Sequence, residues 1–127
     1  MASGRALAEA VLAAVDSRKG EMFTQFFATD GSFVFGNAEP VIGPEAIAAS
    51  NDQFFAMIAG LSHAIQDVWE TGRTVIVRAT VTYIRKNGSQ VSLPCTSVWQ
   101  GDASGKIADY RIYMDITPVF DITPVFA

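Results

Sequence analysis

Residues 62–100 read SHAIQDVWE-TG-RTVIVRATVTYIRK-NG-SQVSLPCTSVWQ. Three runs rich in Val, Ile, Thr, Tyr and Trp, the residues that favour strands, are separated by Thr71-Gly72 and Asn87-Gly88. Asn-Gly is a strong hairpin signal because a type I′ turn places both central residues at positive φ. A fourth run, 106–116, follows a loop from Gly101 to Gly105. The strands 62–70, 74–86, 90–100 and 106–116 therefore form an antiparallel meander. Upstream the period is helical. Leu7, Ala8, Val11, Leu12 and Val15 recur on one helix face, and a second helical stretch carries Met22, Phe23, Phe26 and Phe27, with Asp16 or Ser17 as its cap. Asp30-Gly31 turns into a short strand, Ser32 to Phe35, which ends at Gly36-Asn37. Gly43-Pro44-Glu45 opens a further helix, since proline suits the first helical turn, and Gly60 stops it. Helices followed by a meander make an α+β domain, a curved antiparallel sheet wrapped over N-terminal helices.

At 127 residues the chain is expected to hold one domain. It spans residues 1–120. Asp115–Phe120 reads DITPVF and residues 121–126 repeat it letter for letter, so 121–127 is a duplicated C-terminal tail rather than a solenoid period. Nine basic against thirteen acidic residues, a formal net charge of −4, argue against a nucleic-acid partner, which would call for a basic face. The chain lacks the ~20 consecutive apolar residues of a membrane span. Glu9 interrupts the N-terminal apolar run and Asp16 closes it, so the run fits a helix better than a signal core, and the cytoplasm is the expected location. A single cysteine, Cys95, and a single histidine, His63, exclude an internal disulfide and the His- or Cys-rich metal signatures. Neither a metal nor a cofactor is expected.

Turn length sets register, and register sets which side chains share a face. With Thr71-Gly72 and Asn87-Gly88 as two-residue turns, His63, Ile65, Asp67 and Trp69 share a face with Ile76, Arg78, Thr80 and Thr82. That face continues through Val91, Leu93, Cys95, Ser97 and Trp99, and then through Tyr110, Ile112, Met114 and Ile116. This is the face expected under the helices. Val75, Val77, Ala79, Val81 and Tyr83 then lie outside with Tyr113 and Asp115, a second apolar face best covered by a homodimer. On the inner face Arg78, His63 and Asp67 converge near Asn37. They form the polar end of an otherwise apolar cavity lined by Phe35, Phe54, Ile58, Trp69, Thr80, Cys95, Trp99, Tyr110, Ile112 and Met114. Ligand pockets have this character. An internal Arg78–Asp67 ion pair beside a core histidine is the alternative reading of the same residues.

The stretches FFATDGSFVFGN, GPEAI, VTYIRKNG and GKIADYRIYMDITPVF resemble the SnoaL-like branch of the nuclear transport factor 2-like superfamily, over about residues 6–120. The resemblance implies a cystatin-like α+β roll with a conical pocket, often dimeric, in a group that spans polyketide cyclases, ketosteroid isomerases, epoxide hydrolases and non-catalytic binding proteins. Against the limonene epoxide hydrolase pattern, Arg78 matches the arginine and Asn37 the asparagine. Phe35, Thr80 and Ile112 replace the tyrosine and both aspartates, which argues against epoxide hydrolysis. The two acids of ketosteroid isomerase find no match at Gly36-Asn37 or Cys95–Ser97.

These readings point to a protein that binds a small, largely apolar ligand with one polar or anionic group. As an enzyme it would be a cofactor-free isomerase, cyclase or dehydratase working by proton transfer, with His63, Asp67 and Arg78 as catalytic candidates. The alternative is a non-catalytic ligand-binding or dimeric interaction module.

Overall fold

A computed structural model describes residues 4–120, and the duplicated tail lies outside the described residues. The chain runs α1 (Gly4–Asp16), α2 (Gly20–Thr24), β1 (Phe27–Phe35), β2 (Val41–Ile42), α3 (Pro44–Phe55), β3 (Gly60–Thr71), β4 (Thr74–Ile84), β5 (Gln90–Gly101), β6 (Ile107–Tyr113) and α4 (Thr117–Phe120). The six strands form one sheet in the order β2-β1-β6-β5-β4-β3. The fold is the expected α+β roll, but the sheet is mixed. β1 lies parallel to β6, with Phe33 opposite Tyr110 and Phe35 opposite Ile112. A parallel neighbour needs a long crossover rather than a hairpin, and α3 with the whole meander supplies it.

α1 buries Ala8, Val11 and Leu12, an i, i+3, i+4 set, and ends where Arg18 adopts a left-handed φ of 58°. Gly20, an unfavourable residue in a helical stretch, is there for close approach. A Cβ at that position would lie 2.4 Å from the Ala48 carbonyl oxygen of α3. The Gly20 amide donates to Asp52 Oδ1 at 2.8 Å, which pins α2 against α3.

Both hairpins depart from the expected register. In the first, Thr71 pairs with Thr74 and Asp67 with Arg78, but Ile65 pairs with Ala79 and His63 with Val81. Gln66 is the extra residue of a β-bulge, so β3 changes faces there. Its side chain donates to Thr80 Oγ1 at 2.7 Å on the outer surface. In the second hairpin the Arg85 amide donates to the Ser89 carbonyl at 2.8 Å, leaving a loop of Lys86, Asn87 and Gly88. Gly88 takes φ 88°, the left-handed position of a three-residue loop. Three loop residues in place of two reverse the parity between β4 and β5. The inner set of β4 is therefore Val75, Val77, Ala79, Val81 and Tyr83, all buried. Ile76, Arg78, Thr80 and Thr82 face outward.

The core has two ends. At one, Phe23, Phe27, Phe33, Trp99 and Tyr110 pack under α1 and α2, with Trp99 and Tyr110 stacked at 5.1 Å and 6°. At the other, Phe55, Ile58, Val81, Tyr83, Cys95 and Val119 form a second cluster. Replacing Gly20 by Ala forces α2 off α3, and overpacking of this kind costs about 1–3 kcal/mol. The urea midpoint of Gly20→Ala is expected to fall accordingly, and an unchanged midpoint would contradict the close approach.

Candidate functional site

Beside the second cluster, between α3, the inner face of the sheet and the C-terminal turn, lies a cavity of about 200 Å³. α3 presents Phe54 and Phe55 to it, and β1 presents Phe33 and Phe35. Rings also meet within the wall: Phe54 packs edge-on against Tyr83 at 5.9 Å and against Phe120 at 6.2 Å. No lysine or arginine lines the cavity among the described residues. A cavity with this wall accepts an apolar body and offers few polar groups to orient it.

The decisive polar group is His63. Its Nδ1 lies 2.6 Å from Asp16 Oδ1 at the end of α1, and its backbone amide donates to Asp16 Oδ2 at 3.0 Å. Both oxygens of one carboxylate thus grip one residue of β3. The imidazole is 8% exposed and the Asp16 side chain 25%. Among the described residues Nε2 has no hydrogen-bond partner, and the ring forms part of the cavity wall. Tyr83 lies on the same face, opposite Leu61 where His63 is opposite Val81. Among the described residues its hydroxyl donates only to the thioether of Met114, at 3.6 Å, a weak acceptor. Burial, then the neighbouring Cys95 and Asp16, push its pKa above the ordinary tyrosine range, so the hydroxyl stays protonated and available to donate. Burial likewise raises the Cys95 thiol, which keeps it a packed, unionised wall residue.

The sequence-derived candidates divide sharply. His63, Phe35, Phe54, Cys95, Ile112 and Met114 are on the cavity wall. Arg78 and Asp67 are not. They form an ion pair on the outer face, Nε to Oδ2 2.9 Å, with side chains 60% and 40% exposed. The Gln66 bulge and the three-residue loop put them there. The same reversal carries Thr80 outward to bond Gln66 and leaves Trp69 half-exposed on the outer face. Asn37 sits in an exposed turn after β1. Ile58, Trp99 and Tyr110 are buried in the packed core rather than on the wall. Without Arg78 the cavity has, among the described residues, no lysine or arginine for the anionic ligand group that the sequence suggested. Asp16 and Tyr83 were missed as site residues. The apolar alternation of β4 pointed to Tyr83, whereas Asp16, forty-seven positions from His63, carries no local signal.

The mouth is closed on one side by the chain after β6. Ile116 and Phe120 line the cavity, the Asp115 carboxylate accepts the Thr117 amide at 3.0 Å, and Arg85 holds the turn. Its Nη2 donates to the Pro118 carbonyl at 2.8 Å and its Nε to the Val119 carbonyl at 3.1 Å.

The model of the SnoaL-like domain family matches residues 8–110. The chain belongs to this family. Solved structures with the same fold include a hypothetical protein of Catenulispora acidiphila with a ketosteroid isomerase-like fold, in complex with trimethylamine. It is 20% identical, with 89% of this chain and 88% of that one covered and a TM-score of 0.81. An NTF2-like protein of unknown function from Burkholderia pseudomallei is 16% identical, with 94% and 96% covered and a TM-score of 0.82. A putative SnoaL-like polyketide cyclase of Jannaschia sp. is 21% identical, with 92% of both chains covered and a TM-score of 0.75. No curated protein matches the sequence. For this SnoaL-like domain the identities speak for fold alone, and chemistry has to be argued from the wall.

Replacing Arg85 by Ala removes both carbonyl contacts to α4. Amide hydrogen exchange across 116–120 is expected to accelerate while β4 and β5 keep their protection. Unchanged exchange in that segment would show that apolar packing alone holds the turn.

Proposed function

We propose that the cavity binds a small, largely apolar molecule and that His63 moves a proton to or from it, in an isomerisation, cyclisation or dehydration. One observation carries this reading: the Asp16 carboxylate takes Nδ1 of His63, Nε2 has no partner among the described residues, and the same residue lines an apolar wall. A carboxylate at Nδ1 fixes the neutral tautomer with the proton on Nδ1 and the lone pair on Nε2. It also steadies the imidazolium that forms when Nε2 accepts a proton, which is how an orienting acid assists a histidine base. Positioned acid–base catalysis of this kind contributes about 10²–10⁴ in rate. Tyr83 supplies an O–H whose present acceptor is only a thioether, so a ligand oxygen bearing developing charge would win it. A carbonyl compound with an acidic neighbouring C–H fits both groups, and the likeness to a putative polyketide cyclase agrees with that class. The ligand carries no anionic group, because the wall offers no lysine or arginine among the described residues to pair with one.

The test uses β-tetralone, an apolar aromatic ketone with an exchangeable α-proton, in heavy water. Proton NMR is expected to show α-exchange above the buffer rate with the wild-type protein. His63→Gln should return it to the buffer rate and Asp16→Asn should lower it by about 10²–10⁴. No acceleration by wild type, or acceleration that survives in His63→Gln, would remove the proton-transfer role and leave a binding module.

A homodimer through the outer sheet face is the second part of the proposal. Trp69, Ile76 and Val98 are ladder neighbours there, and Tyr113 follows one row on. Trp69 and Tyr113 are both more than a third exposed. This apolar row ends at Arg111 and is flanked by the exposed Arg78–Asp67 pair, and an exposed apolar patch rimmed by polar residues marks an interaction site. Light scattering after size exclusion is expected to give the mass of a dimer for wild type and of a monomer for Ile76→Glu. A monomeric wild type would contradict the proposal.

A further inference from the structure

His63 belongs to two walls. One is the apolar cavity. The other is a surface groove of about 280 Å³ lined mainly by polar groups, among them Arg5, Glu9 and Asp16, with Ala13 and Ile65 at its sides. Asp16 lines this groove and does not line the cavity, so the carboxylate is on the wet side of the imidazole and the free Nε2 is left for the dry side. Among the described residues His63 alone lines both spaces, and its side chain is 8% exposed. Arg5 and Glu9, both exposed on α1, bring one charge of each sign to the groove and keep it hydrated. Its volume accommodates several waters at about 30 Å³ each.

We infer that this groove is the port through which protons pass between His63 and bulk water while a ligand fills the cavity. The inference rests on the reading of His63 as the acid–base group. The ligand C–H bond breaks, its proton going to Nε2 and its electron pair staying on the ligand as an enolate. The Nδ1 proton passes to Asp16 and on to water in the groove, which leaves a neutral ring protonated at Nε2. Delivery of the Nε2 proton to a different atom of the ligand, with Nδ1 reprotonated from the groove, restores the starting tautomer. One proton leaves to water, one returns, and no electrons are exchanged with an outside partner. Among the described residues, the titratable groups that share a space with the ring are Asp16, Glu9 and Arg5 from α1, Tyr83 from β4 and Cys95 from β5. Of these the three on α1 are on the groove side, where a proton has somewhere to go.

The chain has one histidine, so protein labelled with nitrogen-15 histidine reports a single imidazole, and the exchange of its ring N–H with water is read directly by NMR. Ala13→Phe, at an exposed helix position, covers the groove. Leu61→Phe reduces the cavity. Exchange is expected to slow by about tenfold or more in Ala13→Phe, since it loses the water that receives the proton, and to stay at the wild-type rate in Leu61→Phe. Glu9→Leu, also exposed, dries the groove without filling it and should slow exchange to a lesser degree, which covers the case in which Ala13→Phe fails to fold. Slowing in Leu61→Phe, or wild-type exchange in both groove variants, would overturn the inference and route the proton through the cavity. The readout needs no turnover, so it is separate from the tetralone assay.

Discussion

β3 changes faces once, at Gln66, and the site follows from that one extra residue. Below the bulge, Asp67 and Trp69 point outward with Arg78 and Ile76. Above it, Ile65 and His63 point inward toward α1. A strand that alternated without interruption would put His63 and Asp67 on one side, either both in the cavity or both in water. The bulge parts them. It gives the solvent side an arginine–aspartate pair that is free to stay hydrated, and it gives the interior an imidazole with a different carboxylate. Bulges re-aim side chains in this way, at the expense of one unpaired ladder position. Here the Gln66 side chain secures the distortion by bonding Thr80.

The partner that the bulge delivers to His63 is a carboxylate in an awkward place. Asp16 ends α1, where the helix dipole disfavours negative charge by about 0.3–1 kcal/mol. A backbone amide and an imidazole nitrogen from β3 offset that cost, since a hydrogen bond to a charged group contributes about 1.5–3 kcal/mol. The same two bonds tie α1 to the far end of the sheet from the packed aromatic end. The contact that orients the imidazole is therefore also a structural one, and the ring cannot turn without loosening the helix. Tyr83 completes the arrangement from β4, with its proton retained by burial and its hydroxyl engaged only by sulfur.

Much of the architecture was legible residue by residue. Val91, Leu93, Cys95, Ser97 and Trp99 are the more apolar alternation of β5, which agrees with the inward face that the turns assign them, and Tyr110 and Ile112 complete that face. The error entered at Asn87-Gly88, because the dipeptide is compatible with a loop of two residues or of three, and the difference reverses β4 and the part of β3 from Asp67 to Thr71, while the bulge returns Ile65 and His63 to the inner face. The composition of β4 contained the correction. Its odd positions, Val75 to Tyr83, are all apolar or aromatic, while its even positions include Arg78, Thr80 and Thr82. The bulge also left a mark, since the inward apolar positions of β3 step from Ile65 to Val68 instead of alternating. Asp16 left none. The link between a helix end and a strand forty-seven positions later is made by the packing of the two elements, and local periodicity is blind to it.

The most direct measurement is the nitrogen-15 spectrum of the one imidazole in its neutral form. With Asp16 bound at Nδ1, the account requires the proton on Nδ1 and a bare Nε2, and it requires Asp16→Asn to weaken that preference. A neutral ring protonated at Nε2 in the wild-type protein would contradict it, because the lone pair would then face the carboxylate and no base would face the cavity.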